Sequence, residues 1–157
     1  MSGDGDVGQP RIIFVNRFFY PDEAATSRML SDLAFALAQR GYAVEVVTSR
    51  QSYATGAAAY PPKEVVGGVT VHRVWTTTFG RAHLLKRSLD YISFYLMATL
   101  KVLQRLRRGD SVVAKTDPPL LSVPLALVAR VRRARLVTWL QDVFPEIAQE
   151  LGVKVIQ

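Results

Sequence analysis

The chain has 157 residues, of which 49% are hydrophobic, so its length and composition suit one globular domain with a substantial core. It contains no cysteine, which excludes disulfides, thiolate metal sites, cysteine nucleophiles and thiol redox chemistry. The formal net charge of +7 predicts an anionic partner such as phosphate groups, nucleic acid or a membrane surface.

The positive charge is concentrated between Arg81 and Arg135. This sector holds 12 basic and three acidic residues, whereas the rest of the chain holds eight basic and ten acidic residues. The sector therefore predicts a basic surface patch. Residues 1–10 are acidic and glycine-rich without an apolar run, which predicts a disordered tail and not a signal peptide. No uncharged stretch reaches the ~18 residues of a membrane span.

The first elements in chain order predict a β-α-β unit. Arg11–Asn16 is a β-branched and aromatic run typical of a buried parallel strand. The next segment repeats apolar residues at helical spacing and ends at Gly41, a favourable C-terminal cap. Ala43–Thr48 predicts the second strand. Residues 49–68 show no periodicity and predict a long surface loop.

Strands and helices continue to alternate along the rest of the chain. Strands are predicted at Val69–Trp75, Ser111–Lys115 and Arg135–Leu140, and helices at Leu84–Arg108 and Leu120–Arg133. This alternation predicts an α/β fold, Rossmann-like with three α/β/α layers, in which a mainly parallel sheet is covered on both faces.

Ligands of an open parallel sheet bind at the carboxyl ends of its strands, where three loops combine charge with proline. These loops are residues 16–25, 115–119 and 141–146. The candidate cleft residues are Asp22, Glu23, Ala24, Ala25, Lys115, Thr116, Asp117 and Gln141. Neither a GxGxxG motif nor a P-loop occurs, which disfavours binding of a nicotinamide dinucleotide or a P-loop nucleotide.

These loop residues also have structural interpretations. Asp22 precedes a helix, where an N-cap role explains it as well as a ligand role does. Thr116 and Asp117 precede two prolines, which suits a structural turn. Asp142 and Glu146 are the candidates for catalysis, as a general base or as acceptors of sugar hydroxyls, but capping of a helix by Asp142 is the competing explanation.

The two histidines, His72 and His83, have no partner at the spacing of metal ligands, so no metal site is predicted. A Ser-His-Asp triad is also unsupported, because no Gly-x-Ser-x-Gly motif is present.

The predicted long helix is apolar on two sides and basic at both ends. The stripe predicted to face the core contains Leu85, Leu89, Ile92, Leu96, Leu100 and Leu103. The opposite side is also apolar, which favours contact with a membrane headgroup region, at ~1 kcal/mol per basic residue near the surface. The predicted membrane-surface residues are Lys86, Arg87, Lys101, Arg105, Arg107 and Arg108. Burial against a missing domain or partner chain is the alternative.

A basic nucleic-acid-binding module, without enzymatic activity, is the second functional hypothesis. It requires aromatic stacking platforms on the basic face, and the candidates are Tyr91, Phe94 and Tyr95.

Residues 11–50 resemble the opening of bacterial family 4 glycosyltransferases of the GT-B fold, in particular the enzymes of colanic acid, O-antigen and capsule assembly. The matching pieces are FFYPDEAATS, LAFALAQRGYAVEVVTS, TDPPL and WLQDVFPE, in that order. Because these pieces recur in the same order, the resemblance covers nearly the whole chain.

The resemblance implies that residues 11–157 are the N-terminal, acceptor-side domain of a retaining two-domain enzyme at the inner face of the cytoplasmic membrane. That enzyme transfers a sugar from a nucleotide-sugar donor to a lipid-linked or polysaccharide acceptor. The donor is expected to bind mainly to a second domain that is absent here, so the isolated chain is expected to be inactive. No cofactor and no specific nucleic acid are expected.

The resemblance also places the loop of Asp22, Ala24 and Ala25 at the interdomain cleft. Many relatives carry a glycine pair where this chain has Ala24 and Ala25, and a histidine where it has Gln141. The Asp-x-x-Pro-Glu pattern that begins at Asp142 is the same as in the polysaccharide-assembly enzymes of the family.

Overall fold

The computed structural model describes residues 9–57, 60–79, 84–116 and 118–140, with the backbone alone at residues 84, 86 and 87. Over these ranges the chain forms six strands and three helices. The strands are β1 (Ile12–Val15), β2 (Val44–Ser49), β3 (Lys63–Val66), β4 (Val69–Val74), β5 (Ser111–Lys115) and β6 (Arg135–Trp139). The helices are α1 (Ala25–Gln39), α2 (Leu84–Arg105) and α3 (Ser122–Arg132).

The strands form one sheet in the order β3-β4-β2-β1-β5-β6. All neighbouring pairs are parallel except β3 and β4, which are antiparallel. The predicted α/β class with a mainly parallel sheet is therefore confirmed. The carboxyl ends of the five parallel strands meet at one edge, here called the carboxyl edge, and their starts define the amino edge.

Strand β3 lies inside the segment that the sequence predicts to be a loop, so that prediction is wrong for Lys63–Val66. The strand is short and half-buried, and it joins β4 through a turn at Gly67 and Gly68. Gly67 has a φ of +56°, and a Cβ atom there would lie 2.7 Å from Phe35 Cδ1. Glycine is therefore required both by the backbone and by the close approach of α1.

Each face of the sheet carries its own apolar core. On one face α2 and α3 pack over β1 and β5, with Phe94, Leu106 and Leu125 fully buried. On the other face α1 packs over β1 and β2 through Leu30 and Ala34. In the described part of the chain no helix covers β5 and β6 on the α1 face, where a groove of about 540 Å³ remains. Residues 141–157, which follow β6, lie outside the described residues, so coverage of that corner stays a prediction.

Helix α2 is rotated by about half a turn from the orientation predicted from its sequence. Phe94, Ala98 and Val102 are buried, whereas the stripe predicted to face the core is largely exposed, with Leu85 83% exposed. Both sides of the helix are apolar, so the apolar pattern alone does not fix the rotation. Two polar anchors fix it. Near its start Asp90 accepts a hydrogen bond from Thr77, and at its end Arg105 pairs with Glu45.

A buried charge cluster at the amino edge holds the end of α2 against the sheet. Glu45 accepts hydrogen bonds from Arg11 (2.8 Å), Arg105 (2.8 and 3.0 Å) and His72 Nε2 (3.0 Å). Asp110 also accepts from Arg11, at 2.6 Å to Oδ2. The Arg105 guanidinium is thus committed to Glu45, which corrects its assignment as a membrane-surface cation.

The cluster shifts the pKa values of Glu45 and Arg105. Burial by itself raises the pKa of Glu45, but the hydrogen bonds from His72 and Arg105 and the charges of Arg105 and Arg11 outweigh it and hold this pKa well below its ordinary value. The hydrogen bond to Glu45 raises the pKa of Arg105. Both oxygens of Glu45 therefore accept hydrogen bonds from side chains of the protein itself, which gives this carboxylate a structural role.

Candidate functional site

The loop after β1 leaves the carboxyl edge and is tied to β2. Ser49 N and Thr48 Oγ1 both donate to the Arg17 carbonyl at 3.0 Å, and Asn16 Nδ2 donates to the Phe18 carbonyl at 2.7 Å. Phe18 and Phe19 are buried, and they anchor the loop in the core. These contacts therefore hold the loop in one position at the carboxyl edge.

Asp22 lies buried at the inner side of this loop and does not cap α1. Its Oδ1 accepts hydrogen bonds from Tyr53 N (2.8 Å) and the Tyr60 hydroxyl (3.1 Å). The N-cap of α1 is Ala24, which makes no side-chain cap hydrogen bond. The N-cap interpretation of Asp22 is therefore wrong, and its carboxylate instead joins the loop after β1 to the segment after β2.

Tyr60 and Arg73 complete this junction. Burial raises the pKa of the Tyr60 phenol, the hydrogen bond with Ser52 lowers it, and the nearby Asp22 charge raises it further, so that the net shift is upward. The Arg73 guanidinium lies 4.4 Å from the centre of the Tyr60 ring and donates to the Tyr20 carbonyl at 2.6 Å. Glu64 accepts from Arg73 at 2.6 and 2.8 Å. The position of the loop thus depends on β3 and β4 as well as β1.

The ends of β2 and β4 carry a second polar network. The Ser49 and Thr76 hydroxyls lie 3.0 Å apart, and Gln51 Nε2 donates to the carbonyls of Thr76 (3.1 Å) and Thr77 (2.5 Å). The Thr77 hydroxyl in turn donates to Asp90 Oδ1 at 2.6 Å. This network connects the carboxyl edge to the first half of α2.

Arg17 and Lys115 place two positive charges at the carboxyl edge. The Arg17 guanidinium lies 5.0 Å from the centre of the Tyr91 ring and 5.4 Å from that of Phe18, and its Nη2 is 3.5 Å from Gln51 Oε1. Lys115 is buried, where Nζ donates to the Thr26 carbonyl at 2.7 Å and lies 4.4 Å from the Trp139 ring. Lys115 therefore joins β5 to the start of α1.

Three buried side-chain oxygens around the loop after β1 have no hydrogen-bond partner in the described part of the chain. They are Asn16 Oδ1, Asp22 Oδ2 and Ser27 Oγ. An unsatisfied buried polar atom costs about 1–3 kcal/mol, so each oxygen gains when a donor reaches it. A water molecule or a hydroxyl group of a ligand would satisfy each of these oxygens.

The structure locates the remaining predicted site residues as follows. Glu23 is exposed and pairs with Arg28 at 3.4 Å, Ala25 is the first residue of α1, and Thr116 follows β5. Asp117, Gln141, Asp142 and Glu146 lie outside the described residues, as does His83. The described cleft residues thus meet at one edge, with Lys115 bonded to Thr26 and Asp22 facing Tyr53.

The predicted membrane-surface residues divide into three groups. Arg107 and Arg108 are exposed, and Lys101 is half-buried. Arg105 is held by Glu45. The side chains of Lys86 and Arg87 lie outside the description. Among the described residues, no helix is both long and apolar enough to cross a bilayer, and no group of three metal-ligating side chains forms.

The aromatic residues proposed for base stacking are engaged within the fold. Phe94 is fully buried, Tyr91 lies beside the Arg17 guanidinium, and the Tyr95 hydroxyl donates to the Pro119 carbonyl. Phe94 therefore offers no exposed ring for stacking on a base, whereas Tyr91 and Tyr95 are half-buried.

Sequence reasoning missed several residues of this edge, among them Gln51, Tyr60, Arg73 and Thr76. Each of them has a partner between 25 and 53 residues away along the chain, and no local pattern marks these contacts. The available signal is the run of three threonines that follows β4, a polar stretch at the carboxyl end of a buried parallel strand.

Comparison with known families supplies an independent finding. Residues 25–152 match the family described as the glycosyl transferase 4-like domain. Comparison with curated proteins and comparison with solved structures both gave no match. The family match covers most of the chain and includes α1 and every described element after it, so this chain belongs to the glycosyl transferase 4-like domain family.

Proposed function

We propose that this chain is the acceptor-binding half of a bacterial glycosyltransferase that transfers a sugar from a nucleotide-sugar donor to a lipid-linked or polysaccharide acceptor. We further propose that it serves surface polysaccharide assembly, in the manner of the colanic acid, O-antigen and capsule enzymes that its motifs resemble. The nucleotide sugar would bind mainly to a domain outside these 157 residues, and no other cofactor enters the proposal.

The observation that carries the proposal is the set of buried oxygens without partners at the loop after β1. A sugar presents several hydroxyl donors within a small volume, and Asn16 Oδ1 and Asp22 Oδ2 are acceptors without a hydrogen-bond partner among the described residues. Because the loop is tied to β2 and to Tyr53, these acceptors are held in place before a ligand arrives.

The charges at the same edge suit a phosphate-bearing acceptor. Arg17 and Lys115 supply two cations there, and Asp22 Oδ1 already accepts two hydrogen bonds. A lipid-linked sugar carries both hydroxyls and a diphosphate, so it matches both features. Asp142 and Glu146 remain the candidates for catalysis within this proposal.

The membrane location belongs to the same proposal. A lipid-linked acceptor resides in a bilayer, and the exposed cations Arg107 and Arg108 suit an anionic lipid surface such as the inner face of the cytoplasmic membrane.

Binding of a water-soluble acceptor analogue to the purified chain tests the proposal. A monosaccharide linked through diphosphate to a short prenyl chain is titrated calorimetrically into the wild type and into Asp22→Asn. We expect the analogue to bind and the substitution to weaken binding by about tenfold, because a charged acceptor of a sugar hydroxyl is replaced by an amide.

The matched control is Asp32→Asn, which removes an exposed carboxylate from α1, the helix that follows the loop. We expect wild-type affinity for this variant. Equal affinity of all three proteins for the analogue, or tighter binding of an oligonucleotide than of the analogue at physiological salt, would contradict the proposal.

A further inference from the structure

Helices α2 and α3 both turn a row of large aliphatic side chains toward solvent. The row on α2 is between 50 and 83% exposed and consists of Leu85, Leu89, Ile92, Leu96 and Leu100. The row at α3 is between 59 and 74% exposed and consists of Leu120, Val123, Leu127 and Val131. Successive members are three or four residues apart, so each row follows one side of its helix.

The two rows belong to one surface because the helices pack against each other. Leu103 of α2 and Leu125 of α3 share the same core, and the Arg132 guanidinium donates to the Leu103 carbonyl at 2.7 and 3.0 Å. Exposed aliphatic residues on two neighbouring helices exceed the scattered apolar residues of an ordinary soluble surface. We call this surface the α2–α3 face.

The charges around the α2–α3 face have one sign. Residues 84–116 and 118–140 contain two acidic residues, Asp90 and Asp110, and each is only 3% exposed. Exposed arginines lie at the ends of both helices, namely Arg107, Arg108, Arg130, Arg132 and Arg133. An aliphatic surface with guanidinium groups at its end and no exposed carboxylate among these residues matches the acyl chains and anionic phosphates of a bilayer.

We propose that the α2–α3 face is a bilayer-docking surface, in which the two aliphatic rows enter the acyl boundary while the arginines bind lipid phosphates. The proposal rests on the membrane location given above and names the surface responsible for it. The proposal adds α3 to the helix predicted from the sequence to contact the membrane. It attributes the affinity for lipid to insertion of leucine and valine side chains as well as to charge. The helices lie in the interface, consistent with the absence of a spanning helix among the described residues.

Single cysteines provide a direct test, because the wild-type chain has none. Leu89→Cys on α2, Leu127→Cys on α3 and Val65→Cys on β3 are each labelled with an environment-sensitive fluorophore. Val65 is 68% exposed and lies on the opposite edge of the sheet, so it is the matched control. The proteins are mixed with phosphatidylcholine vesicles that contain phosphatidylglycerol.

We expect the fluorescence of the labels at positions 89 and 127 to shift to the blue and to be quenched by acyl-chain quenchers. We expect neither effect for the label at position 65. The proposal is overturned if position 127 is unchanged by vesicles, or if all three positions shift equally. It is also overturned if positions 89 and 127 are blue-shifted without lipid in a concentration-dependent dimer, because a second copy of the chain would then occupy the face.

Flotation with the same vesicles separates the two sources of affinity. Leu96→Ser combined with Leu127→Ser is expected to lower vesicle binding at least about tenfold at any salt concentration, whereas Val65→Ser leaves it unchanged. Arg108→Gln combined with Arg130→Gln is expected to weaken binding to anionic vesicles and to reduce its salt dependence. Unchanged flotation of the serine variant, with native circular dichroism, would contradict the proposal.

These vesicles carry neither donor nor sugar acceptor, and the calorimetric titration of the soluble analogue uses no vesicles. Loss of vesicle binding with retained analogue binding would therefore overturn the docking surface alone. Loss of analogue binding with retained vesicle binding would overturn the acceptor proposal alone.

Discussion

The two edges of the parallel sheet each contain a buried carboxylate, and the partners of these carboxylates differ. At the amino edge, both oxygens of Glu45 accept hydrogen bonds, from Arg11, Arg105 and His72. At the carboxyl edge, Asp22 uses Oδ1 for Tyr53 and Tyr60, whereas Oδ2 is buried without a hydrogen-bond partner among the described residues. A satisfied buried carboxylate stabilises the fold, and a half-satisfied one is available to a ligand.

The charged partners follow the same division. The two arginines of the amino edge contact carboxylates directly, whereas Arg17 and Lys115 at the carboxyl edge lie against aromatic rings and carbonyl or amide oxygens. The comparison therefore predicts that equivalent substitutions at the two edges have different consequences.

Glu45→Gln is expected to have the largest effect on stability. The substitution leaves Arg11 and Arg105 without their shared counter-charge in a largely buried site, which costs about 3 kcal/mol of unfolding free energy. Urea unfolding followed by circular dichroism measures this loss. Glu23→Gln, which breaks an exposed ion pair with Arg28, is the control and is expected to change stability by less than about 0.5 kcal/mol. Similar urea midpoints for Glu45→Gln and Glu23→Gln would contradict the structural role assigned to Glu45.

The charge cluster at the amino edge is also expected to lose its contribution to stability in acid. The pKa of Glu45 in the folded chain lies well below its ordinary value of 4.5, so its stabilisation is fully present above that value. The stabilisation is lost as the pH falls below 4.5 toward the lower pKa of the folded chain, because the folded state then takes up its proton last. Unfolding free energy measured between pH 7 and pH 3 should decline in the wild type, and the part due to Glu45 should be missing from Glu45→Gln. Parallel pH profiles for the two proteins would contradict this assignment.

Much of the sheet could be predicted from sequence because buried parallel strands are continuous apolar runs. Ser111–Lys115 was predicted with its observed bounds, and the other parallel strands differ by one or two residues. Strand β3 was missed because a four-residue edge strand in which exposed and half-buried residues alternate gives no apolar run. The rotation of α2 was inverted because it depends on Asp90 and Arg105, whose partners belong to other elements.

The candidate site was predictable as a location more than as a set of contacts. The rule that ligands bind at the carboxyl ends of parallel strands identified the loop of Asp22. It could not reveal that Asp22 contacts Tyr60, 38 residues away, or that Arg73 contacts the Tyr20 carbonyl, 53 residues away. Such pairs depend on the sheet order, in which β4 and β3 lie beyond β2.

Tyr60→Phe is expected to have an intermediate effect at the carboxyl edge. The variant loses the hydrogen bond of 3.1 Å to Asp22 Oδ1 and keeps the ring beside Arg73, which costs about 1 kcal/mol. Because the pKa of Tyr60 is raised in the folded chain, its stabilisation is present below the ordinary value of 10.0 and is lost as the pH rises above it. Urea midpoints of wild type and variant should therefore differ at pH 7 and converge in alkali. A difference that does not shrink as the pH rises above 10.0 would show that the hydroxyl acts through another contact.

Asp22→Asn is expected to have the smallest effect on stability, although it makes the same chemical change as Glu45→Gln. The amide retains an oxygen for Tyr53 N and the Tyr60 hydroxyl, and its nitrogen replaces an oxygen that has no hydrogen-bond partner among the described residues. Removing a buried charge also removes its desolvation cost, so the unfolding free energy should change by no more than about 0.5 kcal/mol. Urea unfolding of the two amide variants side by side measures the contrast. A loss at Asp22 as large as that at Glu45 would mean that both carboxylates serve the fold, and it would remove the reason for placing a ligand at the carboxyl edge.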